Sequence, residues 1–237
     1  MADCQYGFKE IELKGSHREL VLALVCFVVF VIISILVVSG VSQSADLQAA
    51  LTVNHYDLGS VGTNIMVLFT RYGREVVWGL VVVAMFLLGT KRTKILSMEL
   101  AGLLVAGIVI GAAAKILFNR MRPSLADGIV YRVPVSPTDL LAYPSGHALI
   151  VAIGATFCLV RFRRHVPALL LTLEAALVCY SRVYVGVHYP LDVVGGVFLG
   201  ATIALLGAVV VEKYFSRLLE KLVEPILLVL KQGPLDV

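Results

Sequence analysis

Long, nearly unbroken apolar stretches divide this chain, and its polar residues gather in the segments between them. A bilayer core about 30 Å thick takes roughly 20 apolar residues at 1.5 Å each. Six stretches approach that length: residues 20–41, 62–89, 95–118, 145–160, 166–183 and 190–211. The second is interrupted by Arg71, Arg74 and Glu75, and its uninterrupted part, 76–89, crosses a bilayer only with tilt or thinning. The pattern predicts an all-α, polytopic membrane protein with six transmembrane helices.

Composition agrees with this reading. Of 237 residues, 59% are hydrophobic and 15% charged, whereas soluble domains carry about a quarter charged. No polar, Pro- or Ser-rich stretch is long enough for a linker and no fixed-period repeat is present, so a single domain over 1–237 is expected. Its parts are a head (1–19), a six-helix core (20–211) and an amphipathic tail (212–237). The head contains Asp3, Glu10, Glu12 and Glu19, unlike the basic head of a signal peptide, so the first stretch reads as retained. In the tail, charged residues alternate with Phe215, Leu218, Leu219, Leu222 and Ile226 at helical spacing, as in an interfacial helix. The four cysteines show no paired spacing and read as small packing residues.

Charge sets the orientation. Thirteen of the 20 lysines and arginines fall on the side of the N-terminus, near residues 9–18, 91–94, 161–164 and 213–231. The positive-inside rule therefore predicts both termini in the cytoplasm and the opposite ends of the helices outside. The remaining seven are Arg71, Arg74, Lys115, Arg120, Arg122, Arg132 and Arg182, on that extracytoplasmic side.

Three strings there carry chemistry: Lys115 through Arg122-Pro123, then Pro144-Ser145-Gly146-His147, then Ser181-Arg182 through His188 to Asp192. Lys115 and Arg122 are seven residues, or two turns, apart and share a face where the helix runs on to Pro123, which ends it. Arginine suits phosphate because its planar fork donates paired hydrogen bonds. Ser145 is a candidate N-cap, with Gly146 allowing close backbone approach of an anion to the helix start. His147 suits a general acid. Pro190 takes the first position of the last helix, and Asp192 can reach back to the imidazole of His188. A carboxylate on one ring nitrogen fixes the tautomer and leaves the other as a nucleophile.

In order and spacing these strings resemble the signature of the type 2 phosphatidic acid phosphatase superfamily, which includes lipid phosphate phosphatases and vanadium haloperoxidases. The resemblance implies His188 as nucleophile forming a phosphohistidine, Asp192 as its orienting partner and His147 as acid and then base. It implies Lys115, Arg122, Ser145, Gly146 and Arg182 as the phosphate cradle, and neither metal nor cofactor. The partners it implies are a bilayer and a lipid phosphate, with no nucleic acid.

Substrate choice is softer. Arg120 and Arg132 can supply charge for a second phosphate, which favours a polyprenyl diphosphate over phosphatidic acid or phosphatidylglycerophosphate. Arg71 and Arg74 are candidates at the mouth of the site. A lipid phosphotransferase shares the same chemistry. An anion transporter, the alternative of another class, is disfavoured because no inverted repeat is visible. Glu99 is expected at the cytoplasmic interface, and Glu174 buried and hydrogen-bonded in the bundle. Two Gly-x-x-x-Gly strings, 107–111 and 196–200, predict close helix packing.

Overall fold

The computed structural model describes residues 3–135, 140–162 and 165–215; residues 216–237 of the expected tail, with Arg163 and Arg164, lie outside them. Regular structure among the described residues is helical, with a single antiparallel bridge between Met121 and Leu141. The helices are α1 (Asp3–Val38), α2 (Gln43–Asn54), α3 (Gly59–Tyr72), α4 (Trp78–Leu88), α5 (Lys91–Phe118), α6 (Gly146–Arg161), α7 (His165–Tyr184) and α8 (Pro190–Val210). Four are long and apolar enough to cross a membrane: His17–Val38 within α1, α5, Val166–Tyr184 within α7, and α8. Helix α6 is apolar but shorter. Its 16 residues span about 24 Å, against about 42 Å for the 28 residues of α5.

Helices α3 and α4 join through a π-helical turn, Gly73–Val77, so the chain is helical from Gly59 to Leu88. The turn falls where Arg74 and Glu75 interrupt the apolar run, and π turns recur at functional sites.

Helix α6 is the axis of the bundle. Residues Ala148 to Ala155 are all buried, as are Phe157 and Cys158, and α5, α7 and α8 pack around them. The predicted glycine pairs make this possible within one chain. A Cβ at Gly196 would stand 2.6 Å from the Ser145 carbonyl, and one at Gly200 would collide with the Leu149 carbonyl. Across the bundle Gly107 is pressed by Ile153 and Leu149. Such close backbone approach is what small residues permit in membrane helices. The opposite face of α6 presents Gly154 to the ring of Trp78, which is 1% exposed.

Helix α1 closes the bundle against α8. Phe30 stacks on Tyr143, whose hydroxyl is 2.8 Å from Ser34 Oγ, and burial pushes that phenol up to about 12. At the other end Glu99 is buried rather than interfacial, since Arg161 pairs with it at 2.9 Å and also bonds the Ala208 carbonyl. An ion pair is how a bundle interior tolerates such a carboxylate.

The apolar pattern did not anticipate α2. Its inward residues Asp46, Ala50 and Asn54 recur at four-residue spacing on one face, but two of the three are polar. Asn54 is fully buried. Its amide donates to the carbonyls of Val130 (3.0 Å) and Tyr184 (2.9 Å) and accepts from Val130 N–H (2.9 Å). It thereby pins the loop after α5 to the end of α7.

Candidate active site

The helix carrying Lys115 ends earlier than its spacing suggested. Asn119 adopts the left-handed conformation (φ 47°) and caps α5 after Phe118, donating to the Lys115 carbonyl. Arg122 is therefore delivered by extended chain: its N–H donates to the Leu140 carbonyl at 3.1 Å, beside the Met121–Leu141 bridge. Asparagine tolerates the left-handed region better than most residues, and this stops the helix before Pro123 is reached.

Helix α6 begins at Gly146 with Ser145 at the N-cap position. The serine makes no capping bond; its hydroxyl is buried without a hydrogen-bond partner. Its N–H donates to the Asp192 carbonyl at 2.9 Å, fixing the start of α6 against the start of α8. Such an unpaired buried hydroxyl is costly unless a ligand completes it.

Pro190 opens α8 at its first position, and the Asp192 carboxylate accepts the Tyr189 N–H at 2.9 Å. Asp192 Oδ2 also faces His188 Nδ1 at 3.4 Å, and both side chains are buried. On the other edge of the imidazole, Arg122 Nη1 approaches Nε2 at 3.3 Å while donating to the Val187 carbonyl at 2.8 Å. A guanidinium has donors only, so that contact requires a lone pair on Nε2 and the ring proton on Nδ1, toward Asp192. Burial, with the charges of Arg182, Arg122 and Lys115, holds His188 well below the usual histidine value. The neutral imidazole has its lone pair on the edge away from the carboxylate, where Arg122 meets it.

Arg122, which covers that nitrogen, and Val187 beside His188 line a cavity of about 400 Å³ whose other polar lining includes Thr70, Arg71, His147 and Arg182. Arg182, in the last turn of α7, is 7% exposed and donates to Thr70 Oγ1 at 2.8 Å. Arg74, from the π turn, places Nη1 3.4 Å from His147 Nδ1 and pairs with Glu75. By the same donor argument His147 keeps its ring proton on Nε2. A second cavity, about 470 Å³, opens beside the first between α4, α5 and α6. Arg74, Glu75, Lys115 and Gly146 line its polar part; Trp78, Gly79, Leu104, Ile108 and Ile150 are among its apolar walls.

The fold thus brings together His147, His188, Asp192, Arg122 and Arg182, with Lys115 and Gly146 in the adjoining groove and Arg71 and Arg74 on the rims. Two expected substrate residues are placed elsewhere. Arg132 bonds the Tyr184 carbonyl at 2.9 Å and lies over the Tyr184 ring. Arg120 sits behind the His188–Asp192 pair, bonded at 2.7 Å to both Asp192 and Asp46. Sequence reasoning missed Asp46 and Thr70. Neither belongs to a spaced motif, and only the fold carries them to the site.

An all-helical, membrane-type bundle that gathers cations around a buried histidine–carboxylate pair defines a membrane protein built to handle phosphate. The chain belongs to the PAP2 superfamily, whose model matches residues 96–216. It is 37% identical over 185 residues to the undecaprenyl-diphosphatase of Sulfolobus acidocaldarius, covering 77% of this chain and 87% of that one. It is 29% identical over 152 residues to undecaprenyl-diphosphatase BcrC of Bacillus subtilis, covering 62% and 74%. Its fold is similar to the crystal structure of a transmembrane PAP2-type phosphatidylglycerolphosphate phosphatase from Bacillus subtilis. That match has a TM-score of 0.67 at 22% identity and covers 81% of this chain and 96% of the other.

Proposed function

We propose that this chain is a membrane phosphatase that hydrolyses a polyprenyl diphosphate to the monophosphate through a phosphohistidine on His188. The observation that carries the chemistry is the setting of His188, with Nδ1 facing Asp192 and Nε2 facing the Arg122 guanidinium, which puts the ring proton toward the carboxylate and the lone pair toward the cation. The substrate class rests on the likeness to two undecaprenyl-diphosphatases.

In this reading Nε2 attacks the terminal phosphorus and the bridging P–O bond breaks. The negative charge of the bound diphosphate favours the imidazolium of His147, which gives a proton to the departing lipid phosphate and is left neutral. A water then attacks the phosphohistidine, His147 takes its proton, and inorganic phosphate leaves with His188 restored. Lys115, Arg122, Arg182, the Ser145 hydroxyl and the Gly146 N–H hold the oxygens as charge moves among them. These fixed cations take the part that a divalent ion plays in other phosphoryl transfers. The groove along α4, α5 and α6 suits a prenyl chain, since its walls are apolar and its polar part adjoins the histidines.

The same reading takes Gly59–Leu88 as a sixth crossing, with both termini in the cytoplasm and the site at the extracytoplasmic face. The excess of lysine and arginine in the sequence segments of the other side, 13 of 20, supports it.

The deciding measurement is phosphate release by detergent-purified protein from prenyl diphosphates and diacyl phosphates in excess EDTA. Turnover of the diphosphates that persists in EDTA, is blocked by vanadate and is abolished in His188→Ala is expected. Activity surviving in His188→Ala, or lost to EDTA, would overturn the mechanism. A clear preference for diacyl phosphates would overturn the substrate.

A further inference from the structure

The group behind the nucleophile is more elaborate than a histidine and its carboxylate. Asp192 is held at both oxygens: Oδ2 takes the Tyr189 N–H and faces His188, while Oδ1 accepts Arg120 Nη1 at 2.7 Å. The other arm of the same guanidinium, Nη2, bonds Asp46 Oδ2 at 2.7 Å and Gln43 Oε1 at 3.1 Å. Asp46 Oδ1 in turn accepts the Leu191 N–H at 3.0 Å, in the first turn of α8. The Arg120 guanidinium lies 4.2 Å from the centre of the Tyr189 ring. Its side chain is 9% exposed, and those of Asp46 and Asp192 are 1% and 0%.

We propose that Asp46 and Arg120 are positioning residues for catalysis, which fix the Asp192 carboxylate and set its charge so that His188 can carry phosphorus. Two effects follow from the geometry. First, a carboxylate anchored at Oδ1 cannot rotate, so Oδ2 stays on the Nδ1 proton of His188. Second, two carboxylates and one guanidinium leave one net negative charge in a buried site. That charge matches the positive charge the imidazole gains when Nε2 bonds phosphorus. Without Asp46 the guanidinium would cancel Asp192. Without Arg120 two buried carboxylates would face each other, and one would take up a proton. A substrate contact for Arg120 is disfavoured by its partners, which occupy both arms.

The inference rests on the phosphohistidine reading, and the experiment separates the two. Arg120→Met, Arg120→Lys and Asp46→Asn are purified beside His188→Ala. Each is checked for a monodisperse detergent complex, then assayed for kcat, KM and inhibition by vanadate and by inorganic phosphate. Vanadate bonds the nucleophilic nitrogen, whereas phosphate needs only the cationic cradle. Arg120→Met and Asp46→Asn are expected to lower kcat roughly 10- to 100-fold, the usual loss for a group orienting a reactive ligand. KM should stay within about twofold, the mark of an interaction felt in the transition state. Vanadate inhibition should weaken in step with kcat, phosphate inhibition should not change, and Arg120→Lys should recover part of the loss. Asp46→Asn keeps an acceptor for Leu191 N–H and serves if the arginine variants fail to fold. An unchanged kcat in a folded variant would overturn the proposal, as would a loss expressed only in KM or shared equally by vanadate and phosphate. Activity surviving in His188→Ala would instead overturn the mechanism on which it rests.

Discussion

His188 shows how a single residue is specialised by its surroundings. It is 1% exposed, with a carboxylate at one nitrogen and a guanidinium at the other. Burial and three nearby cations favour its neutral form, so protonation requires acid well beyond the usual range. In 15N NMR of histidine-labelled protein in detergent, the signal lost in His188→Ala should stay neutral as pH falls through about 6.5, the ordinary histidine value. A midpoint at that value would show an imidazole open to water. Asn54 makes a structural case at the same scale. Its amide closes three hydrogen bonds to buried backbone, and Asn54→Ala leaves them unmet. The cost is about 1–3 kcal/mol for each group left unsatisfied, to be read as a lowered Tm in detergent. At this scale the sequence was informative where residues recur in a spaced pattern. His147, His188 and Asp192 could be named from their strings, whereas Asp46 and Thr70 could not. A lone aspartate in a polar segment and a lone threonine in an apolar one carry no signature until the chain is folded.

Among the elements, apolar length predicted most of the helices to within a few residues. The exceptions have distinct physical causes. Helix α2 buries Asp46 and Asn54 on its inward face, so its pattern is not apolar. Helix α5 stops at Phe118 because Asn119 accepts a left-handed backbone. The π turn at 73–77 is invisible to a count of hydrophobic residues. Helix packing offers two contrasting tests. At Gly154 any Cβ would enter the Trp78 ring, so Gly154→Ala should destabilise the bundle by about 1–3 kcal/mol through overpacking, measured by thermal unfolding. At Gly79 a Cβ meets nothing within 4 Å, although the residue lines the apolar groove. Gly79→Phe should therefore not lower Tm, while raising KM for long prenyl diphosphates more than for short ones. Equal KM changes across chain lengths would place the lipid elsewhere.

For the whole molecule, the expected sidedness can be tested directly. In closed cells Asp57→Cys should react with an impermeant maleimide, and Thr90→Cys should react only after permeabilisation. Labelling of both from outside would contradict the topology. The molecule's most consequential proportion is the disparity between its central helix and its neighbours. Helix α6 spans about 24 Å, several ångströms less than the roughly 30 Å of a typical hydrocarbon core. Its first turn carries Gly146 and His147, so the depth of the reaction chamber below the water line depends on the host bilayer. Under the proposed site and topology, thickness is expected to act as a rheostat on turnover. In proteoliposomes, turnover should decline as the acyl chains of the host lipid lengthen, with the protein itself unchanged.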